Sequence, residues 1–459
     1  SAGLVPALVY GASSISGMSG SWPGRHAGLG AVRRLLALLF AVLCPASGAW
    51  AVTYYVDSAV GNDANNGLTQ GSAWATIPGF NSGGTCTNHG GATPIAAGSV
   101  IEIKAGSSWT GVLGRISTSC YANPANASQR TTIQVSPTWG TGNVVINGTG
   151  ATIPAFNGGI QITAINYITI KGADATRRFE VKNYALGNGI GVLFYKGSDP
   201  PSTGNELKWC DVHHNNTQAG VGFDRQNDAL IEDCLVHNTG MIEGGAAGGN
   251  GIGVVHGGLS DTTGTNNIVR RVDSYNNAQA AVANDSSISQ GFQYTGCNGP
   301  TYDTSRAWGN GRDGFDGGYA NNAQNSCTAT VYYLNTSSFD NGEDGYGLNG
   351  GQFRGTISWH VNSFAARNAQ ANWTAYDGGD VRCFHCTANG GVLVHAFTSF
   401  SGWQVPKFQA RNSYFRVPSG IAFHYFNLAA GAPVIDLDYS SIIPTSNGSS
   451  FDDRGTGAT

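Results

Sequence analysis

The sequence predicts an all-β fold: a single-stranded right-handed parallel β-helix, a solenoid of about ten coils. Three observations lead there. The first is a short recurring pattern, a small residue followed by alternating apolar positions. It appears as Gly189-Ile190-Gly191-Val192, Gly220-Val221-Gly222-Phe223, Gly251-Ile252-Gly253-Val254, Ala281-Val282-Ala283-Asn284 and Gly314-Phe315-Asp316-Gly317. It continues as Gly345-Tyr346-Gly347-Leu348, Asn372-Trp373-Thr374-Ala375, Gly391-Val392-Leu393-Val394 and Gly420-Ile421-Ala422-Phe423. The apolar anchors at 190, 221, 252, 282, 315, 346, 373, 392 and 421 recur about every 30 residues, as stacked supersecondary units do. The second is an Asn shortly before most anchors: Asn215/Asn216, Asn276/Asn277, Asn310, Asn341 and Asn368. The third is another alternating stretch before each Asn, as in Cys210-Asp211-Val212-His213 and Val272-Asp273-Ser274-Tyr275.

Each repeat therefore reads strand, Asn turn, strand, longer loop. Asn tolerates a left-handed backbone and hydrogen-bonds locally, which suits a tight corner. Identical corners that stack also let Asn amides bond along the stack. A β-sandwich has many short strands but no such self-similarity, and a propeller blade needs four strands.

The ends are organised differently. Met18 is followed by Arg25, Arg33 and Arg34, then by the apolar run Leu35 to Leu43 and by Ala49-Trp50-Ala51. This is the pattern of a secretory signal peptide over 18–51, with 1–17 as upstream sequence. The run is too short to span a bilayer. The rest divides into an N-terminal cap with the first coils, 52–150, and β-helix repeats over 151–459, with a C-terminus that reads as truncated. The exported protein is expected in the periplasm or outside a bacterial cell, as a monomer.

Gly is abundant, at 68 residues, while charged residues make up only 11%. Aromatics at 10% and regular Val/Ile spacing favour a folded, turn-rich β protein over a disordered one. A net charge of −4 gives no reason to expect nucleic acid or an anionic membrane as partner. Cys44 leaves with the leader; eight cysteines remain, and sequence proximity pairs 86–120, 210–234 and 297–327. Cys383-Phe384-His385-Cys386 reads as a fourth pair, a redox motif or part of a zinc site.

If the anchors face inward, the residues one and three positions later face out. This outward surface is small residues and carboxylates in one half, aromatics and His in the other: Asp224, Asp285, Asp316, Asn349, Tyr376 and His395. Glycine along a strand admits a ligand close to the backbone, so an extended sugar chain fits such a surface. Asp285, Asp313 and Asp316 lie on adjacent coils, where carboxylates raise one another's pKa or hold a cation such as calcium. Glu343 and Asp344 read as solvated turn residues. No Lys occurs between Lys208 and Lys407, so a base there must be Arg, His, Tyr or a carboxylate, with His256, Arg354 and Tyr346 in reach. The acidic run at 57–67 lacks the closing Glu of an EF-hand loop and reads as a self-satisfied turn.

Two stretches carry a resemblance. Tyr54-Tyr55-Val56-Asp57-Ser58, Gly61-Asn62-Asp63-Ala64-Asn65-Asn66-Gly67 and Ala73-Trp74-Ala75-Thr76-Ile77 resemble the opening of bacterial β-helix proteins that degrade polysaccharides. Arg306-Ala307-Trp308-Gly309-Asn310-Gly311-Arg312-Asp313-Gly314-Phe315-Asp316 is similar to the Asp-Asp-Gly-Phe-Asp motif of family-9 pectate lyases, and Phe339 to Gly351 to that family's next coil. The resemblance implies that Asp313 and Asp316 ligate calcium, which neutralises a uronate carboxylate before proton abstraction and β-elimination. The chain departs from the pattern at three places: Arg312 replaces the first motif Asp, Gly347 stands at the catalytic Lys, and Ala280 replaces an acid, with Asp285 nearby.

The expected function is a secreted lyase acting on an acidic glycan. Asp313, Asp316 and Asp285 are the calcium ligands, and Arg312, Asp316, Asp285 and His256 the catalytic candidates. Asp224, Asn349, Arg354, Tyr376 and His395 are expected to contact substrate. An inverting glycoside hydrolase with paired Asp residues, or a glycan-binding protein without catalysis, are the alternatives.

Overall fold

The computed structural model describes residues 51–459, apart from 87–88, 91–93, 152–157, 186–188, 196–199, 242, 244–250, 257–263, 278–288, 296–297, 318–329, 350–355, 377, 391, 398–405, 418–422, 427–433, 445–450 and 454–459. The leader expected over 18–51 falls outside these residues but for Ala51, as do Asp285, Arg354, Cys297 and Cys327.

Strands stack into three long sheets of 13, 12 and 13 members. One coil takes a strand from each in turn. Thr330–Leu334 lies in the first sheet, Ser337–Phe339 in the second and Asp344–Asn349 in the third, before Ile357–Val361 returns to the first. The pairing is parallel throughout the three ladders except where Phe80–Asn81 meets Leu113–Ser117 at the N-terminal end. This is the right-handed parallel β-helix expected, in the hand that twisted parallel strands impose on their crossovers. It has more coils than the anchors numbered, because the third sheet also takes Phe80–Asn81, Leu113–Ser117 and Gly158–Thr163 before the first anchor and Phe451–Asp453 after the last.

Two corners repeat. Between the first and second sheets one residue per coil is left-handed: Trp209, Asp233, Arg271, Thr304, Asn335, Asn362, His385, Asn412 and Tyr439, with φ between 49° and 57°. The Cys383-Phe384-His385-Cys386 stretch is one such corner. Cys383 and Cys386 are buried free thiols, and Cys386 Sγ donates to the His360 carbonyl at 3.6 Å. The expected pairs Cys86–Cys120 and Cys210–Cys234 are disulfides.

Between the second and third sheets runs the asparagine ladder. Asn277 Nδ2 donates to Asn310 Oδ1 at 2.9 Å, Asn310 to Asn341 at 3.0 Å, and Asn341 to Asn368 at 2.9 Å. Each Oδ1 also accepts the backbone N–H of the Asn one coil back, at 3.2–3.3 Å. These side chains are buried, so every amide group must find a partner inside the protein.

The ladder, the next coil's backbone carbonyl and, at Gly253 and Gly314, the still nearer hydroxyls of Ser274 and Ser338 together explain the recurring glycine. A Cβ on Gly253 would stand 2.8 Å from Asn277 Nδ2, on Gly291 2.8 Å from Asn310 Nδ2, on Gly314 2.8 Å from Asn341 Nδ2, and on Gly345 2.6 Å from Asn368 Nδ2. The residue after each glycine turns into the core. Val192, Val221, Val254, Phe292, Phe315, Tyr346 and Trp373 form one inward row. Rings stack along it, with centroids 4.6 Å apart for Phe292–Phe315 and 5.1 Å for Phe315–Tyr346.

This register corrects four anchors and replaces a fifth. Val192, Val254, Val394 and Phe423 occupy the row, not residues 190, 252, 392 and 421. A slip of two residues keeps the same face, so the inward–outward assignment survives. Phe292 replaces Val282.

At the N-terminal end, the 57–67 segment is self-satisfied in part: Asp57 Oδ1 accepts from the backbone of Ala59 at 2.9 Å and Asn62 Oδ1 from that of Ala64 at 3.0 Å, while other bonds reach outside it. Asp63 Oδ1 accepts from the backbone of Ala75 and Thr76 at 2.8 and 2.9 Å, and Asp57 pairs with Lys104 at 2.7 Å.

Asn310→Ala removes the middle of the ladder and leaves buried donors on Asn277 without acceptors. It is expected to cost about 2–4 kcal/mol in urea unfolding, at roughly 1–3 kcal/mol per orphaned group. A loss under about 0.5 kcal/mol, the size of an ordinary surface substitution, contradicts the ladder's role.

Candidate functional site

The site is a patch of two columns on the third sheet. One position after the inward anchors stand Gln293, Asp316, Gly347 and Thr374, paired in that order through Phe292–Tyr294, Phe315–Gly317, Asp344–Asn349 and Ala371–Tyr376. Two positions before three of the same anchors stand Gln290, Asp313 and Asp344. The ladder's corner puts the second column beside the first.

Side chains converge there. Asp316 Oδ2 accepts from Gln290 Nε2 and from Gln293 Nε2, each at 3.1 Å. Asp313 Oδ1 accepts the backbone N–H of Asp344 at 3.1 Å. A Cβ added to Gly347 would lie 3.5 Å from Asp316 Oδ1 and 3.8 Å from the Asp313 carboxyl carbon, so both acids face the space that glycine leaves. Arg312 is ion-paired with Glu343, and its Nε lies 3.9 Å from Asp313 Oδ2.

Burial sets the electrostatics. Asp313, Asp316 and Asp344 are 4%, 6% and 1% exposed, whereas the Arg312 side chain keeps about a third of its surface in solvent. Burial first, then the charges of Asp344 and Asp316, push the Asp313 carboxyl well above the usual range, against the pull of Arg312. Asp344 is raised to about 7, mainly by burial, with its bond to Thr374 opposing. Burial works against the charge of Arg312, but Asp313 and Glu343 more than offset it and hold its proton tighter than an ordinary guanidinium's. Arg312 is thus placed as a cation.

The other expected residues fall elsewhere. His256 is corrected: it points inward, in the row of Phe223 and Tyr294, is 3% exposed, and bonds Asn267 at 2.6 Å. Asp224 follows Phe223, three pairings away from Gly317 along the row. His395 pairs with Thr374 and so belongs by register to the column of Asp316, while Asn349 and Tyr376 pair with each other two residues further along their strands. Leu193, Asp316 and Thr374 in that column are buried, so the glycine track is not bare.

Three residues of the patch went unrecognised in the sequence. Asp344 reads there as a turn acid, yet it is buried. Gln290 and Gln293 lie outside the coil expected at 281–284, although Gly291-Phe292-Gln293-Tyr294 repeats the small–apolar pattern and would have placed them.

No family model matches this sequence, and no curated protein sequence matches it. Similar solved structures include the A-module of the mannuronan C-5 epimerase AlgE4 from Azotobacter vinelandii, 11% identical over 78% of this chain and 91% of that one, with a TM-score of 0.45. Pectate lyase Pel9A is 15% identical over 90% of this chain and 82% of that one, with a TM-score of 0.40. A rhamnogalacturonan lyase is 15% identical over 88% and 90%, also with a TM-score of 0.40. These likenesses concern the fold, which the strand registers establish by themselves.

A carboxyl whose pKa is raised on folding stabilises the protein only while protonated. The contribution of Asp344 is therefore complete below about pH 4 and lost as pH rises toward 7, at up to about 1.4 kcal/mol per unit. Asp344→Asn, permanently neutral, is expected to flatten the fall in melting temperature between pH 4 and pH 7. An unchanged slope shows that Asp344 does not titrate there.

Proposed function

We propose that this protein is a secreted polysaccharide lyase acting on an acidic, uronate-containing glycan. The observation that carries the reading is the convergence of Asp313 and Asp316 on the space beside Gly347, with the partly exposed Arg312 at its edge. Arg312 is the cation a uronate carboxylate can reach, and pairing with it withdraws charge from the carbon whose proton must leave. Asp344, poised near neutrality, suits a proton acceptor at physiological pH. The proton passes from the carbon next to the carboxylate to this base. The electron pair forms the ring double bond, and the glycosidic oxygen at the next carbon departs with its bonding electrons. Disulfides and the leader-like N-terminus support an exported protein.

Calcium belongs to this proposal through Asp313 and Asp316. An observation bears on the fit: Gln290 is 1% exposed, and its Oε1 is buried without a hydrogen-bond partner beside Asp316. Carboxylate and amide oxygens are the donors calcium takes. When bound, the ion would neutralise the substrate carboxylate.

A second reading has its own observation. Asp313, raised well above the usual range chiefly by burial, shares the patch with Asp316, which accepts two amide N–H bonds. Paired carboxyls in differing surroundings suit the acid and base of an inverting glycoside hydrolase.

Polyuronate substrates separate the two. The lyase reading expects new absorbance near 235 nm, abolished in a folded Asp316→Ala variant. New reducing ends without that absorbance establish the hydrolase, and retention of glycan without cleavage establishes a binding protein. Gly347→Lys adds a basic side chain where a Cβ meets nothing closer than 3.5 Å, and is expected to raise elimination at least tenfold. A folded variant with an unchanged rate shows that the proton does not leave toward position 347.

A further inference from the structure

We infer that Gln290 and Gln293 are ligands of a divalent-cation site with Asp316 and Asp313, presenting their carboxamide oxygens where the sequence suggested the acid Asp285. The inference rests on the acidic glycan reading for its purpose, but its chemistry stands on the patch itself.

Both glutamine amides meet the same oxygen, Asp316 Oδ2, at 3.1 Å. Gln293 occupies the position paired with Asp316 one coil earlier, and Gln290 is almost wholly buried. With its nitrogen on Asp316, Gln290 leaves Oε1 buried with no hydrogen-bond partner. A buried carbonyl oxygen in that state costs roughly 1–3 kcal/mol. A half-turn about the last side-chain bond exchanges nitrogen and oxygen. It turns Oε1 toward Asp316, an arrangement that is repulsive between two acceptors and favourable once a cation lies between them.

The charge balance points the same way. Asp313, Asp316, Asp344 and Glu343 gather near one guanidinium, Arg312, which pairs with Glu343 and lies 3.9 Å from Asp313 Oδ2. Either a proton or a cation relieves this excess. Calcium accepts six to eight oxygens in flexible geometry, and neutral amide oxygens serve it alongside carboxylates. Two amides in place of an acid make a site of lower charge, and so of weaker affinity, than an all-carboxylate cage.

The test measures binding, with calcium chloride as the probe, by thermal shift and by titration calorimetry on the intact protein. The wild type is expected to gain melting temperature with calcium. Gln290→Ala with Gln293→Ala is expected to weaken binding at least tenfold, and Gln290→Glu, which keeps the shape and adds charge, to tighten it at least tenfold. Far-UV circular dichroism establishes that each variant is folded. If the double variant does not fold, Gln290→Glu alone decides. The inference is overturned if calcium leaves the wild type unmoved, or if the glutamine variants bind as it does while Asp285→Asn does not. Calcium binding without glycan cleavage keeps the cation site and removes the lyase. Cleavage unaffected by a chelator, with no binding, does the reverse.

Discussion

The structure depends on one repeated contact, a buried asparagine amide packed against the bare Cα of a glycine. The amide must bond to its equivalents one coil above and below, because it is buried. Those bonds hold the amide, with the next coil's carbonyl beside it, in the space where a Cβ would otherwise stand, so the residue that enters the third sheet at Gly253, Gly291, Gly314 and Gly345 has no side chain. The next residue is thereby turned into the core, and the stacked rings of Phe292, Phe315 and Tyr346 follow. Corner, glycine and core ring form one device, and repetition stacks it.

The candidate site is built from the same device. Because the corner fixes the path two residues before the anchor as firmly as one residue after it, Gln290, Asp313 and Asp344 form a column beside Gln293, Asp316 and Gly347. Acids that are 28 or 31 residues apart in sequence become neighbours at the spacing of stacked strands. The chemistry follows from their burial. Carboxylates gathered out of water repel one another, so Asp313 and Asp344 hold their protons to higher pH, while Arg312 is held charged. Gln293, standing opposite Asp316, adds a hydrogen bond without adding charge.

Much of this was legible beforehand. The period, the asparagines and the inward or outward sense of the anchors came from local pattern, and so did two disulfides between neighbouring coils. The bonds of Asp57 and Asn62 within 57–67 were legible because Asx bonding is local, whereas the reach of Asp63 to Ala75 and Thr76 was not. Phe292 was missed because its coil is entered later than the period allows, and with it Gln290 and Gln293. His256 was misplaced because it reads as the residue just past the strand's end, whereas the strand runs on through it and its even spacing from Val254 turns it inward. Asp344 reads as a solvated turn acid because sequence shows its glycine neighbour but not the coil packed against it.

By itself the sequence determined the solenoid, since only a repeated unit that cannot bury its apolar face alone makes such a pattern, and its alternation determined which side chains face the core. Only the tertiary structure decided the register between coils. Loops of different length let a coil slip by two residues without changing face, so the pattern permits several pairings and packing selects one. That choice put two glutamines beside Asp316 and closed the outer column of Leu193, Asp316 and Thr374 to solvent. Burial and neighbouring charge, properties of the assembled coils rather than of any residue, then set the protonation of Asp313 and Asp344.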